Sequence, residues 1–215
     1  MSEGRIGVDE SGKGDYFGPL VVAACFVGPE HLAELEGVKD SKKLTDPVAL
    51  RLSDRIRVVC PCSVISIGPE KYNELYAKFK NLNALLAWGH ARAIENVLEI
   101  QPSETVISDQ FSAGGTLVKK ALFEKGKLVD FQSRVRAEED MAVAAASILA
   151  RAEFLRSLRK LSATYEIDLP KGATNVIGPG KRAVARLGPE ILRKIAKLHF
   201  KTTGQILNGS PTGYQ

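Results

Sequence analysis

Cysteine is scarce in this chain of 215 residues: there are three, Cys25, Cys60 and Cys62. An odd count at these spacings builds no disulfide framework, and a reducing, cytoplasmic setting is expected. Cys60-Pro61-Cys62 is too tight a spacing, without nearby partners, for a zinc site. Histidine is equally rare, and His31, His90 and His199 fall in helix-like or loop contexts that read as structural. The single tryptophan, Trp88, fits a core helix together with Leu86 rather than a platform for stacking bases. No apolar run reaches the roughly 18 to 20 residues that a bilayer span requires. Met1 to Arg5 lead directly into a strand-like run, so no signal peptide is expected. Gly178-Pro179-Gly180-Lys181-Arg182 has a Gly-Lys pair but lacks the spacing of a P-loop. No internal repeat or low-complexity linker is visible, which predicts one α/β domain over residues 1–203 and a polar, frayed tail over 204–215.

What is present is a foldable composition with uneven charge. Hydrophobic residues make up 44% and charged residues 26%, which excludes a wholly disordered chain. The net charge is +5, but residues 151–215 hold 12 Lys or Arg against 4 Asp or Glu. The first 150 residues are therefore slightly acidic, and a basic C-terminal third suggests a surface that meets a polyanion.

Ile6 and Val8 alternate with polar or small residues, as in a short strand. A glycine-rich turn, Glu10 to Pro19, connects it to an unbroken apolar run from Leu20 to Val27, a strand buried on both faces. The pattern further predicts a short helix over Pro29–Leu35, a helix over Pro47–Arg57 capped by Asp46, and a strand over Cys60–Ile67. Helical periodicity marks Asn81–Leu98. Thr105 to Ser108 is a strand ending at Asp109, and Leu128–Phe131 is another short strand. A long helix is expected over Glu138–Leu158, with small residues from Ala142 to Ala146 suited to close approach to the sheet. Loops over Leu169–Ala173 and Ile177–Lys181 and a helix over Pro189–His199 complete the chain.

Acidic residues are poor strand formers, yet Asp9-Glu10 and Asp109 each close a strand. This concentrates carboxylates at the edge where sites in α/β sheets form. Glu138-Glu139-Asp140 opens the long helix, either as further oxygen ligands or as favourable partners of the helix dipole. Clustered carboxylates are costly without cations, and hard oxygen ligands select Mg²⁺ or Mn²⁺. Two such ions roughly 4 Å apart can activate a water and stabilise the leaving oxygen in phosphodiester hydrolysis. Gly12-Lys13-Gly14 would let backbone approach a sugar closely, near enough to read a 2′-hydroxyl, although a tight turn explains either glycine equally well. Lys13, Ser41, Lys42 and Lys43 are candidate phosphate contacts.

The stretch Gly7-Val8-Asp9-Glu10-Ser11-Gly12-Lys13-Gly14-Asp15-Tyr16-Phe17-Gly18-Pro19 resembles the opening signature of the type 2 ribonucleases H, in a form closer to ribonuclease HIII than to ribonuclease HII. Asp40-Ser41-Lys42-Lys43-Leu44, Ser108-Asp109, Ala144 to Arg151, Leu169-Pro170-Lys171-Gly172 and Lys197-Leu198-His199-Phe200 resemble further blocks in the same order, covering about residues 5–203. The resemblance implies a ribonuclease H-like mixed central β-sheet flanked by α-helices, with a helical C-terminal segment. It implies a two-metal site for Mg²⁺ or Mn²⁺ held by Asp9, Glu10, Asp109 and Glu138, with Asp9 bridging the ions. Arg136-Ala137-Glu138 matches the family's basic-Ala-acid run, while Glu139 and Asp140 remain rivals for the fourth ligand. Ser11, Gly12, Lys13, Gly14, Ser41, Lys42 and Lys43 are the implied substrate contacts. The implied activity is endonucleolytic hydrolysis of the RNA strand of RNA/DNA hybrids by a monomer, leaving 5′-phosphate and 3′-hydroxyl ends. Two alternatives stand beside it: incision at single ribonucleotides in duplex DNA, and hybrid binding without catalysis. Ribonuclease HIII generally carries an N-terminal substrate-binding domain resembling the TATA-box-binding protein, for which 215 residues are expected to leave no room.

Overall fold

The computed structural model describes residues 4–38, 44–109 and 115–208. Its first strand, β1 (Arg5–Ser11), turns through the glycine-rich loop into β2 (Leu20–Val27) and pairs with it antiparallel. After a 3₁₀ turn at Pro29–Leu35 and helix α1 (Asp46–Val59), β3 (Cys62–Ile67) pairs antiparallel with β2. Helices α2 (Pro69–Phe79) and α3 (Leu82–Ile100) lead to β4 (Thr105–Asp109), which runs parallel to β1. Helix α4 (Thr116–Ala121) precedes β5 (Asp130–Arg134), parallel to β4. The sheet order is β3-β2-β1-β4-β5, a mixed sheet. Helices α5 (Met141–Tyr165), α6 (Ile177–Leu187), α7 (Ile191–Ile195) and α8 (Lys201–Leu207) follow.

The alternation of strand side chains divides the core into two layers. Leu20, Val22, Ala24 and Phe26 of β2 join Ile6, Val8 and the buried face of α3. Val21, Ala23 and Cys25 face the opposite way, onto α1 and α5. Both faces of β2 are thus covered, which is why its run is apolar throughout. The alanines of α5 allow a close approach to β1. A Cβ built on Gly7 would lie 2.0 Å from the Ala142 carbonyl carbon and 2.1 Å from the Val143 nitrogen. Asp140 fixes where α5 begins, accepting hydrogen bonds from the Ala142 and Val143 amides and pairing with Arg5.

Several sequence expectations are corrected here. Thr45, not Asp46, sits at the N-cap of α1, and the Asp46 carboxylate instead pairs with Arg151 at 2.7 Å and Lys171 at 2.6 Å. Helix α5 starts at Met141, and Glu138 lies in a separate 3₁₀ turn, Ala137–Glu139. Gly178 and Pro179 lie in the first turn of α6 rather than in a loop, where a missing N–H removes no intrahelical bond. The last predicted helix is cut to Ile191–Ile195 because Ala196 leaves it to bridge Phe17. Helix α8 runs to Leu207 and buries Ile206.

The C-terminal segment clamps the glycine-rich loop. Tyr16 N–H donates to Gly172 O, Gly18 N–H to Ile195 O and Lys197 N–H to Tyr16 O. The Lys197 side chain is fully buried and its Nζ donates to the carbonyls of Asp15 and Gly18, at 2.8 Å each. Burial pushes the Lys197 pKa from 10.5 down to about 7. A neutral amine has two N–H donors, matching the two carbonyls. Between those two pKa values the unfolded chain binds the extra proton, so stability contributed here is complete above 10.5 and lost as pH falls through about 7. The unfolding free energy of the native protein minus that of Lys197→Met is therefore expected to widen by roughly 1 kcal/mol per pH unit between pH 7 and about 9.5. Urea denaturation at stepped pH measures this, and a pH-independent difference contradicts it.

Candidate active site

Strands β1 and β4 are parallel neighbours, with Val8 opposite Ser108 at the end of the paired register. Asp9 and Asp109 each follow these residues, so two carboxylates leave the sheet side by side at its C-terminal edge. Asp9, Glu10, Asp109 and Glu138 line one cleft of about 540 Å³ together with Ser11, Gly12, Lys13, Gly14, Ser147 and Arg151.

Each acid is held differently. Asp9 is partly buried and accepts a hydrogen bond from Ser147. Burial raises its pKa, and the charges of Glu10 and Asp109 add to the rise. Glu10 Oε1 accepts from Lys13 Nζ at 2.8 Å, and Oε2 lies 3.0 Å from His90 Nε2. Burial opposes ionisation of Glu10, but the His90 hydrogen bond and the His90 and Lys13 charges outweigh it and lower its pKa. Asp109 Oδ1 accepts the Ala137 amide at 3.2 Å, tying the turn that carries Glu138 to the end of β4. That turn begins at Arg136 in the left-handed region, φ 55°, a conformation that costs an L-residue about 1 kcal/mol.

The three neighbouring acids separate cleanly in space. Glu138 lines the cleft, Glu139 is exposed, and Asp140 caps α5 and pairs with Arg5. The two glycines also separate. Gly12 has φ +85°, and a Cβ there would meet Pro19 O at 2.2 Å, so the turn itself requires glycine. Gly14 has open space around its Cβ position and lines the cleft. Ser41, Lys42 and Lys43 lie outside the described residues.

Three polar residues of the site escaped the sequence reading. Ser147 and Arg151 are four apart on α5 and therefore share a face, a polar pair in the otherwise apolar stretch Met141–Ala152. His90 sits at helical spacing with Leu86, Ile94 and Val97, inside the core stripe of α3, and was read as structural. The basic C-terminal third is partly spent on internal pairs, Arg151 and Lys171 with Asp46, Arg156 with Asp54 and Arg186 with Glu166. Lys181, Arg182, Arg193, Lys194 and Lys201 are exposed.

The donor set facing the cleft suits a hard divalent cation: four carboxylates, with negative charge already raising the pKa of Asp9. Among the described residues no three His, Cys, Asp or Glu side chains are drawn together tightly enough to enclose an ion as they stand.

The mixed five-stranded sheet and its acidic edge define a nuclease of the ribonuclease H class. A family model described as Ribonuclease HII matches residues 6–203, and the chain belongs to that family. It is 49% identical to Ribonuclease HIII of Chlamydia pneumoniae, over 95% of this chain and 70% of that protein. It is 47% identical to Ribonuclease HIII of Protochlamydia amoebophila, over 94% of this chain and 68% of that protein. Among solved structures it is similar to Bst-RNase HIII in complex with Mn²⁺, with a TM-score of 0.88 and 33% identity, covering 96% of this chain and 70% of that one. Enzymes of this family hydrolyse RNA in RNA/DNA hybrids, and metal dependence is typical of them. No helix among the described residues is long and apolar enough to cross a membrane.

Proposed function

We propose that this chain, acting as a monomer in the cytoplasm, cuts the RNA strand of RNA/DNA hybrids with Mg²⁺ or Mn²⁺ held by Asp9, Glu10, Asp109 and Glu138. The observation that carries the ligand assignment is the meeting of these four carboxylates in one cleft with the glycine loop and Arg151. Two bound divalent ions would supply an activated water and charge compensation for the departing 3′ oxygen, leaving 5′-phosphate and 3′-hydroxyl ends. Ser147 orients Asp9, and Lys13 and His90 hold the two oxygens of Glu10. Gly14 leaves room for a ribose beside the backbone, where an amide or carbonyl can meet the 2′-hydroxyl that DNA lacks. Lys13 and Arg151 lie at the rim to receive phosphates, Arg151 oriented by Asp46. The catalytic domain of this reading spans residues 1–203, an extent supported by the family match over residues 6–203.

The test is cleavage of a long RNA/DNA hybrid and of a DNA duplex with one embedded ribonucleotide, each with Mg²⁺, with Mn²⁺ and with EDTA. Cleavage of the long hybrid under either metal, and none with EDTA, is expected. Cutting confined to the single ribonucleotide would overturn the substrate assignment. Binding without turnover under either metal would overturn catalysis.

A further inference from the structure

His90 lies within α3, fully buried, and touches the site from behind. Its Nε2 is 3.0 Å from Glu10 Oε2 and its Nδ1 is 3.1 Å from Ser108 Oγ. Ser108 is itself buried and lies 3.1 Å from the carbonyl oxygen of Asp109. The imidazole therefore spans the two strands that deliver the carboxylates, from a ligand on β1 to the residue preceding a ligand on β4. An ionised carboxylate can only accept, so Nε2 carries a proton and donates to Glu10. With Lys13 on Oε1 and His90 on Oε2, the Glu10 carboxylate is fixed at both oxygens. Lys13 is on the cleft side and half exposed, whereas His90 is fully buried on the core-facing side of α3.

We propose that His90 is a positioning residue for the metal site, fixing the orientation of Glu10 through Nε2 and the end of β4 through Ser108. The proposal rests on the metal-ligand reading above. Groups behind a metal ligand set its direction, and their loss commonly lowers metal affinity 10- to 100-fold. A histidine that merely fills the core would influence metal binding only through overall stability.

Two substitutions separate these roles. Glutamine can place its amide nitrogen near the position of Nε2, and asparagine can place its amide nitrogen near that of Nδ1. His90→Gln keeps a donor for Glu10 and gives up Ser108, while His90→Asn does the reverse. Mn²⁺ affinity is read by electron paramagnetic resonance of the free ion, with thermal unfolding measured alongside. His90→Asn is expected to weaken Mn²⁺ binding 10- to 100-fold, and His90→Gln by no more than about threefold, at similar melting temperatures. Equal affinities in the two variants, or losses that simply follow stability, would overturn the proposal. Should neither variant fold, Ser108→Ala carries the test: a several-fold loss of Mn²⁺ affinity supports the bridge, and unchanged affinity overturns it. Asp109→Asn serves as the reference. Native-level Mn²⁺ binding in that variant would show that the carboxylate site itself is misassigned, a failure distinct from that of His90.

Discussion

Asp109→Asn is expected to reduce hybrid cleavage on the order of 10³-fold or more while the protein melts within about a degree or two of the native form. The reason lies in what the substitution keeps. Asn retains an oxygen in the place of Oδ1, so the Ala137 amide still has its acceptor and the turn before α5 stays tied to β4. It removes a negative charge that raises the pKa of Asp9, which relieves repulsion in the folded state. What it loses is one anionic oxygen for a cation. Steady-state cleavage and a thermal melt of the same preparation decide the matter. Full activity would remove Asp109 from the chemistry, and a collapsed melting temperature would make it a structural residue.

Gly7→Ala is expected to destabilise the fold by roughly 3 kcal/mol or more, because overpacking against rigid backbone has little room to relax. The added methyl would meet the Ala142 carbonyl carbon at 2.0 Å, and both partners are main chain. Strand β1 and helix α5 would have to separate, moving Asp9 and Glu10 on one side away from Ser147 and Arg151 on the other. A fall in melting temperature on the order of 10 °C, with loss of activity, is the expected result. Gly14→Ala is the matched control for melting temperature alone, since nothing lies within 4 Å of its Cβ position. A native-like melting temperature for Gly7→Ala would contradict the close contact of strand and helix.

The parts legible from sequence were those whose signal is local. Apolar alternation and an apolar run gave β1 and β2, and helical periodicity gave α3. Strand-terminal acids are unusual enough that Asp9, Glu10 and Asp109 stood out. Helix α2 was not anticipated, as it buries only Pro69 and Tyr72 and its pattern is weak. Glu138 could not be told from Glu139 and Asp140 by spacing alone, since three consecutive acids carry the same local signal. They are parted by a left-handed residue at Arg136 and by the capping role of Asp140, which depends on Arg5, far away in the chain. The contact of His90 with the site was illegible for a similar reason. A polar residue on a core stripe has the same pattern whether it is satisfied by the core or serves a site, and only the approach of Glu10 and Ser108 from two strands distinguishes them.

The same distance dependence explains the C-terminal blocks. Lys171-Gly172 and Lys197 carry no chemistry that sequence alone reveals. In the fold Gly172 and Lys197 hold the loop that presents Gly12, Lys13 and Gly14, while Lys171 pairs with Asp46, which also orients Arg151. Part of the positive charge of the C-terminal third is thus architectural, paired with Asp46, Asp54 and Glu166, and the proposed phosphate contacts are Lys13 and Arg151.

The central claim is that the carboxylates at the ends of β1 and β4 form a divalent metal site. Anomalous scattering from crystals of the chain soaked in Mn²⁺ tests it most directly. The account predicts a peak roughly 2.0 to 2.4 Å from oxygens of both Asp9 and Asp109, with Glu10 and Glu138 turned toward the cleft. Mn²⁺ bound only elsewhere, or Glu138 pointing away while Glu139 coordinates, would contradict it.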